Sequence, residues 1–145
     1  AVTYRAVFVA SKFAIPHLKD SSGGRIINIS SIHSKRGGGG PAYPSAQAAV
    51  VNLSRDLAVE LGKHGVTVNA ICPGILRTQM WEYLAESLKQ PDESKEDAWQ
   101  RWVMNVIPQG RPQTPDDIGQ LAVYLALAEN VTGQAINVDG GIELH

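Results

Sequence analysis

The chain has 145 residues, 43% of them hydrophobic and 19% charged, with a formal net charge of −1, which fits one globular domain and leaves no length for a second. Both signs of charge are scattered, so there is no basic stripe to offer nucleic acid or an anionic membrane, and small molecules or protein partners remain. Cys72 stands alone and no apolar run nears the ~20 residues that cross a bilayer, so no internal disulfide or membrane span is expected, and a reducing cytoplasm is the expected compartment.

Val2, Ala6, Val9, Ala10, Phe13, Ala14 and Leu18 recur at three- and four-residue spacing, predicting an amphipathic helix that ends near Lys19. That periodicity, without a convincing cleavage site, makes the opening stretch an internal helix rather than a targeting peptide. Turn formers from Asp20 to Gly24 lead into Arg25 to Ser30, a β-branched run of buried-strand type. Gly37 to Gly40 interrupt regular structure; they lack the G-x-G-x-x-G spacing of a phosphate cradle and read as a flexible loop. A second helix is expected from Tyr43 to about Leu61, with Ala46, Ala49, Val50, Leu53, Leu57 and Leu61 on one face and Gly62 and Gly65 as the stop.

A second strand is predicted at Val66 to Ile71, ended sharply by Pro73 and Gly74. Thr114, Pro115, Asp116 and Asp117 give a cap, a first-turn proline and carboxylates suited to the helix dipole, so a third helix should run from there to about Ala128. Ala135 to Val138 forms the last strand, and Asp139, Gly140 and Gly141 close it. The alternation of helices and strands specifies an α/β fold, a doubly wound parallel sheet with helices on its faces.

Residues 28–31, Asn-Ile-Ser-Ser, with the glycine loop and Ala42-Tyr43-Pro44-Ser45-Ala46-Gln47 after them, and Asn69 to Thr78 beyond, carry a resemblance to the short-chain dehydrogenase/reductase family. It extends over the whole chain but matches only the C-terminal part of that family. What it implies is a Rossmann-like sheet, incomplete here, in one domain over residues 1–145 with a variable substrate lid at about 79–113. The family's first half, with its glycine-rich pyrophosphate turn, is not in this sequence.

The resemblance also implies NAD(P)-linked interconversion of an alcohol and a ketone. Hydride transfer builds negative charge on the carbonyl oxygen, which calls for a proton donor and a second hydrogen bond. Tyr43 takes the role of acid or base. Ser31 takes that of carbonyl partner, preferred over Ser30 because the family aligns the second serine of such a pair. The family places a lysine one helical turn after the tyrosine, where its charge favours phenolate and its ammonium holds the nicotinamide ribose. Gln47 stands there instead, with an amide dipole and no charge, and Thr3 stands where the family has a helper asparagine. Both departures, with the first half that is not in this sequence, admit an alternative reading, a catalytically impaired member or fragment that acts by cofactor binding or assembly.

Tyr43, Gln47, Pro73, Gly74, Ile75 and Thr78 are the expected contacts to the nicotinamide end of NAD or NADP, Ile75 through its main chain and Thr78 through its hydroxyl. Trp81, Trp99 and Trp102, with Met80, Tyr83 and Met104, either line an apolar pocket or pack the lid onto the domain. His33, Lys35 and Arg36 are read as solvated loop charges, with reception of an anionic substrate as the weaker alternative. His17, His64 and His145 show no metal-ligand spacing, so no metal is expected. Ser31 lacks a nucleophile-elbow context, which argues against an esterase. The expected partners are a small alcohol or carbonyl compound and, through the two Ala-rich helices, further copies of the chain in a homodimer or homotetramer, with neither nucleic acid nor membrane.

Overall fold

A computed structural model describes residues 2–144; Ala1 and His145, the latter among the histidines set aside as metal ligands, lie outside the described residues. In chain order the elements are α1 (Val2–Lys19), β1 (Arg25–Ile29), a 3-10 turn (Ile32–Ser34), α2 (Ala42–Leu61), β2 (Thr67–Pro73), α3 (Gln79–Leu88), α4 (Lys95–Val106), α5 (Pro115–Leu127) and β3 (Ala135–Val138). The three strands form a parallel sheet in the order β1-β2-β3, with Ile27 opposite Asn69 and Ile71 opposite Ile136. This is the expected α/β architecture.

β2 lies at the centre because its residues suit burial on both faces; six of its seven are buried. Val68 joins Leu57 and Leu61 of α2 and Ile26 of β1 in one cluster, while Ala70 and Cys72 join Val51 of α2 in another. Alternation along the strand sends Asn69 to the opposite side. There its Nδ2 donates to the Val131 carbonyl at 2.7 Å and its Oδ1 accepts from the Gln134 N–H at 3.0 Å, tying the connection between α5 and β3 to the sheet. A buried amide satisfied at both ends is stabilising, and losing one partner costs about 1–3 kcal/mol.

The helix ends follow from local chemistry. Thr114 Oγ1 accepts from the Asp117 N–H at 3.2 Å and Asp117 Oδ2 accepts from the Thr114 N–H at 2.8 Å, a reciprocal capping box with Pro115 just inside it. Gly65, at φ 72°, closes the 3-10 turn that follows α2, a conformation that suits glycine. In the lid, Ser94 caps α4 by accepting from the Asp97 N–H at 3.1 Å. α3 is a helix that the sequence pattern of the lid does not single out; Trp81 and Ala85 pack it against Trp99 and Val103 of α4. Among the described residues β1 has a strand on one side only, and Ile29 at its end is 51% exposed.

Candidate active site

The end of β1 separates the two serines. Ser30 Oγ is buried and donates to the Gln47 carbonyl at 3.0 Å, so it fastens the strand to the first turns of α2. Asn28 makes a second tie, its Nδ2 donating to Ser54 Oγ at 2.9 Å, while that hydroxyl donates to the Val50 carbonyl at 2.8 Å. Ser31 begins the 3-10 turn: its Oγ accepts from the His33 N–H at 3.2 Å, and its carbonyl accepts from the Ser34 N–H at 2.9 Å. Ser31, and not Ser30, lines a cavity of about 610 Å³ at this end of the sheet.

The strand and helix ties fix where α2 presents its first turn. Tyr43, 44% exposed, lines the same cavity, with its ring edge-on to His33 at 5.8 Å between centroids. Gln47 lies one turn further in, only 6% exposed, and its Oε1 is buried without a hydrogen-bond partner. An orphaned buried acceptor is costly unless a donor reaches it. Thr78, the cap residue of α3, makes no side-chain cap bond, leaving its hydroxyl available. Neither Gln47 nor Thr78 is among the residues lining the cavity, and Thr78 is exposed; the orphaned Gln47 Oε1 is the group that suits a hydroxyl donor such as a nicotinamide nucleoside carries.

The turn after β2 is tightly built. The Gly74 N–H donates to the Val138 carbonyl at 3.0 Å, and a Cβ at this position would stand 2.7 Å from Asp139 Cβ and 2.7 Å from Gln113 Oε1. Pro73 ends β2 opposite Val138, and Gly74 and Ile75 line the cavity. The main chain of Ile75, expected to face a carboxamide, is engaged by Gln113: its N–H donates to Gln113 Oε1 at 2.8 Å and its carbonyl accepts from the Gln113 N–H at 2.8 Å. Asp139 holds the neighbouring turn, accepting from the Gly141 N–H at 3.0 Å and the Glu143 N–H at 2.9 Å.

The opposite wall comes from the lid. Trp81 and Trp102 sit with ring centroids 4.6 Å apart and line the cavity with Met80, Val106 and Ile142. Trp99 is buried in the lid's own core, 5.8 Å from Trp81. The two readings of the tryptophans therefore divide between residues: Trp81 and Trp102 do both, Trp99 packs, and Tyr83 and Met104 point to solvent. Thr3 is half-buried on α1 and is not among the residues lining the cavity.

His33 and Arg36 also line it. Sequence reasoning passed over His33 as a loop charge; the signal available was its position two residues after the candidate serine. Burial, with the Arg36 guanidinium second, holds the His33 imidazole below its ordinary value, so it is neutral at pH 7. Arg36 itself lies 3.9 Å from Glu143.

Residues 1–143 match the family model described as enoyl-(acyl carrier protein) reductase. The (2S)-[(R)-hydroxy(phenyl)methyl]succinyl-CoA dehydrogenase subunit BbsD of Thauera aromatica is 35% identical over 99% of this chain and 54% of its own length. Among solved structures, the Pseudomonas aeruginosa RhlG/NADP active-site complex is similar at TM-score 0.81 and 31% identity, over 98% of this chain and 55% of that one. Levodione reductase is similar at TM-score 0.82 and 30% identity, over 97% of this chain and 54% of that one. The chain belongs to the short-chain dehydrogenase/reductase family of oxidoreductases, and it spans about half the length of the relatives it matches.

Proposed function

We propose that this chain carries the substrate end and the nicotinamide end of an NAD(P)-dependent oxidoreductase that interconverts an alcohol and a ketone. The observation that supports this most is the meeting of Ser31 and Tyr43, twelve residues apart, on one cavity walled by Trp81 and Trp102. In reduction, the Ser31 hydroxyl donates to the carbonyl oxygen and Tyr43 gives its phenolic proton to the same oxygen as charge develops there. In oxidation the proton returns to Tyr43. The indoles exclude water from the reacting carbon. Tyr43, Gln47, Pro73, Gly74 and Thr78 would hold the dinucleotide, which supplies or accepts the hydride when bound, and Ile75 would join them only where Gln113 releases its N–H.

This reading includes a cytoplasmic protein with small-molecule substrates, and a homodimer or homotetramer formed through α1 and α2; Phe8 and Phe13, exposed on α1, support such an interface. It includes no nucleic-acid or membrane partner; among the described residues no helix is long and apolar enough to cross a membrane. A second reading, a member that binds cofactor without turnover, is favoured by Gln47, which brings no cation within one turn of Tyr43.

The test is NAD(P)H oxidation by the full-length protein against a panel of ketones, with cofactor binding followed by fluorescence. Tyr43→Phe should lower turnover by about a hundredfold or more and leave cofactor affinity nearly unchanged. Full activity in that variant removes Tyr43 from the mechanism, whereas cofactor binding without turnover in the wild type selects the second reading.

A further inference from the structure

We propose that His33 is a positioning residue that sets which way the Ser31 hydroxyl points, and so whether Ser31 can donate to a substrate carbonyl. The proposal rests on the oxidoreductase reading and adds to it a residue outside the Ser-Tyr pair. A serine hydroxyl has one proton and two acceptor sites. One acceptor site of Ser31 Oγ is taken by the His33 N–H at 3.2 Å. The nearest side-chain partner is His33 Nδ1, 3.4 Å away.

The imidazole tautomer then decides the outcome. With its proton on Nε2, His33 presents a bare Nδ1 that draws the Ser31 proton, and the hydroxyl turns only a lone pair toward the cavity. With the proton on Nδ1, His33 donates to Ser31 Oγ, both acceptor sites are filled, and the serine proton is left for the carbonyl. A protonated imidazole carries hydrogens on both nitrogens and enforces that second arrangement.

The surroundings hold the ring in place. Gly38 and Gly39 run beside it at φ 107° and 79°, close enough that a Cβ on either would lie 3.7–3.8 Å from the ring, and Tyr43 meets it edge-on at 5.8 Å. Tyr43 is the titratable group that α2 contributes. Toward β2, Ser34 of the same turn contacts the Cys72 thiol at 3.6 Å. Among the described residues Arg36 is the charge that acts on His33, and Glu143 engages Arg36 at 3.9 Å. Burial and Arg36 keep the ring neutral at pH 7, the state in which a choice of tautomer exists.

Two measurements test this. The first needs no activity: nitrogen-15 NMR of the His33 ring, in wild type and Ser31→Ala. A changed balance between the Nδ1–H and Nε2–H forms on loss of the hydroxyl supports the coupling, and an unchanged balance overturns it. The second uses the full-length enzyme. His33→Phe, which keeps the ring contact with Tyr43, should lower kcat for ketone reduction about tenfold with KM nearly unchanged. His33→Asn, whose amide N–H sits near the Nδ1 position, should restore most of it. Wild-type kcat should rise as pH falls through the His33 titration below 6.5, and neither variant should show that limb. Full activity in a folded His33→Phe, or no recovery in a folded His33→Asn, overturns the proposal. A wild type without turnover rejects the oxidoreductase reading, and the NMR result then decides the Ser31–His33 coupling by itself.

Discussion

Restoring a cation at position 47 is the sharpest perturbation of the proposed chemistry. Gln47 and Tyr43 are one turn apart on α2, which places their Cβ atoms about 6 Å from each other. At an effective dielectric of about 20, a unit charge at that separation favours a phenolate by about 3 kcal/mol. Tyr43 is 44% exposed, and solvent screening halves that figure to about 1.5 kcal/mol. Each 1.4 kcal/mol is about tenfold, so Gln47→Lys should raise alcohol oxidation at pH 7 by about tenfold. A free phenol ionises unaided near pH 10, so the gain should be larger at neutral than at alkaline pH. The same change buries an ammonium where Gln47 is only 6% exposed, so thermal stability should fall. The assay is the initial rate of NAD(P)-linked alcohol oxidation by the full-length protein between pH 6 and pH 10, with Gln47→Met as the uncharged control. A lysine variant whose pH profile superimposes on the wild type refutes the argument, as does an equal gain from methionine.

Gly74→Ala should destabilise the fold by about 2–4 kcal/mol in urea unfolding, because its Cβ would displace Gln113 Oε1 from the buried Ile75 N–H and press on Asp139. Gly62→Ala, with helical φ −54° and no neighbour within 4 Å, should be neutral or stabilising. In the lid, the Arg101 guanidinium and then the Gln90 N–H hold the Glu93 carboxylate at about 2 against an ordinary 4.5. A depressed carboxylate contributes stability that is complete above 4.5 and lost as pH falls toward 2. Tryptophan fluorescence should therefore report lid loosening across that window, with a smaller pH dependence in Glu93→Gln.

Much of this was legible because local chemistry and periodicity agreed. The Thr114 cap, the first-turn Pro115 and the carboxylates of Asp116 and Asp117 could be read letter by letter, and Ala135 to Val138 fell where β-branching put it. β2 was read one residue early and ended short, since Cys72 and Pro73 do not look like strand; pairing with β3 from Ala70 onward carries the strand through them. α3 was hidden because aromatic residues in a lid serve pockets and cores alike, and only the facing of Trp81 on Trp99 and Trp102 separates the two. His33 was missed for a different reason. Its role depends on a ring nitrogen reaching back to Ser31 within a 3-10 turn, and no side-chain periodicity encodes that contact.

Gln47 and His33 bear on one physical question, how a tyrosine and a serine are prepared to meet an oxygen whose charge changes during the reaction. A lysine one turn below the tyrosine acts through full charge. Gln47 supplies only a dipole, and its buried Oε1 has no partner, so whatever it binds must bring a donor to it. On the proposal made above, the adjustable polarity lies on the serine side, where the His33 imidazole nitrogen is 3.4 Å from the hydroxyl. Stabilisation by a charge is long-ranged and nearly constant below pH 10, whereas stabilisation by a tautomer is short-ranged and responds to whatever hydrogen-bonds in the cavity. On the proposed oxidoreductase reading, such a site would favour reduction over oxidation, because oxidation requires a phenolate and Gln47 puts no cation beside it.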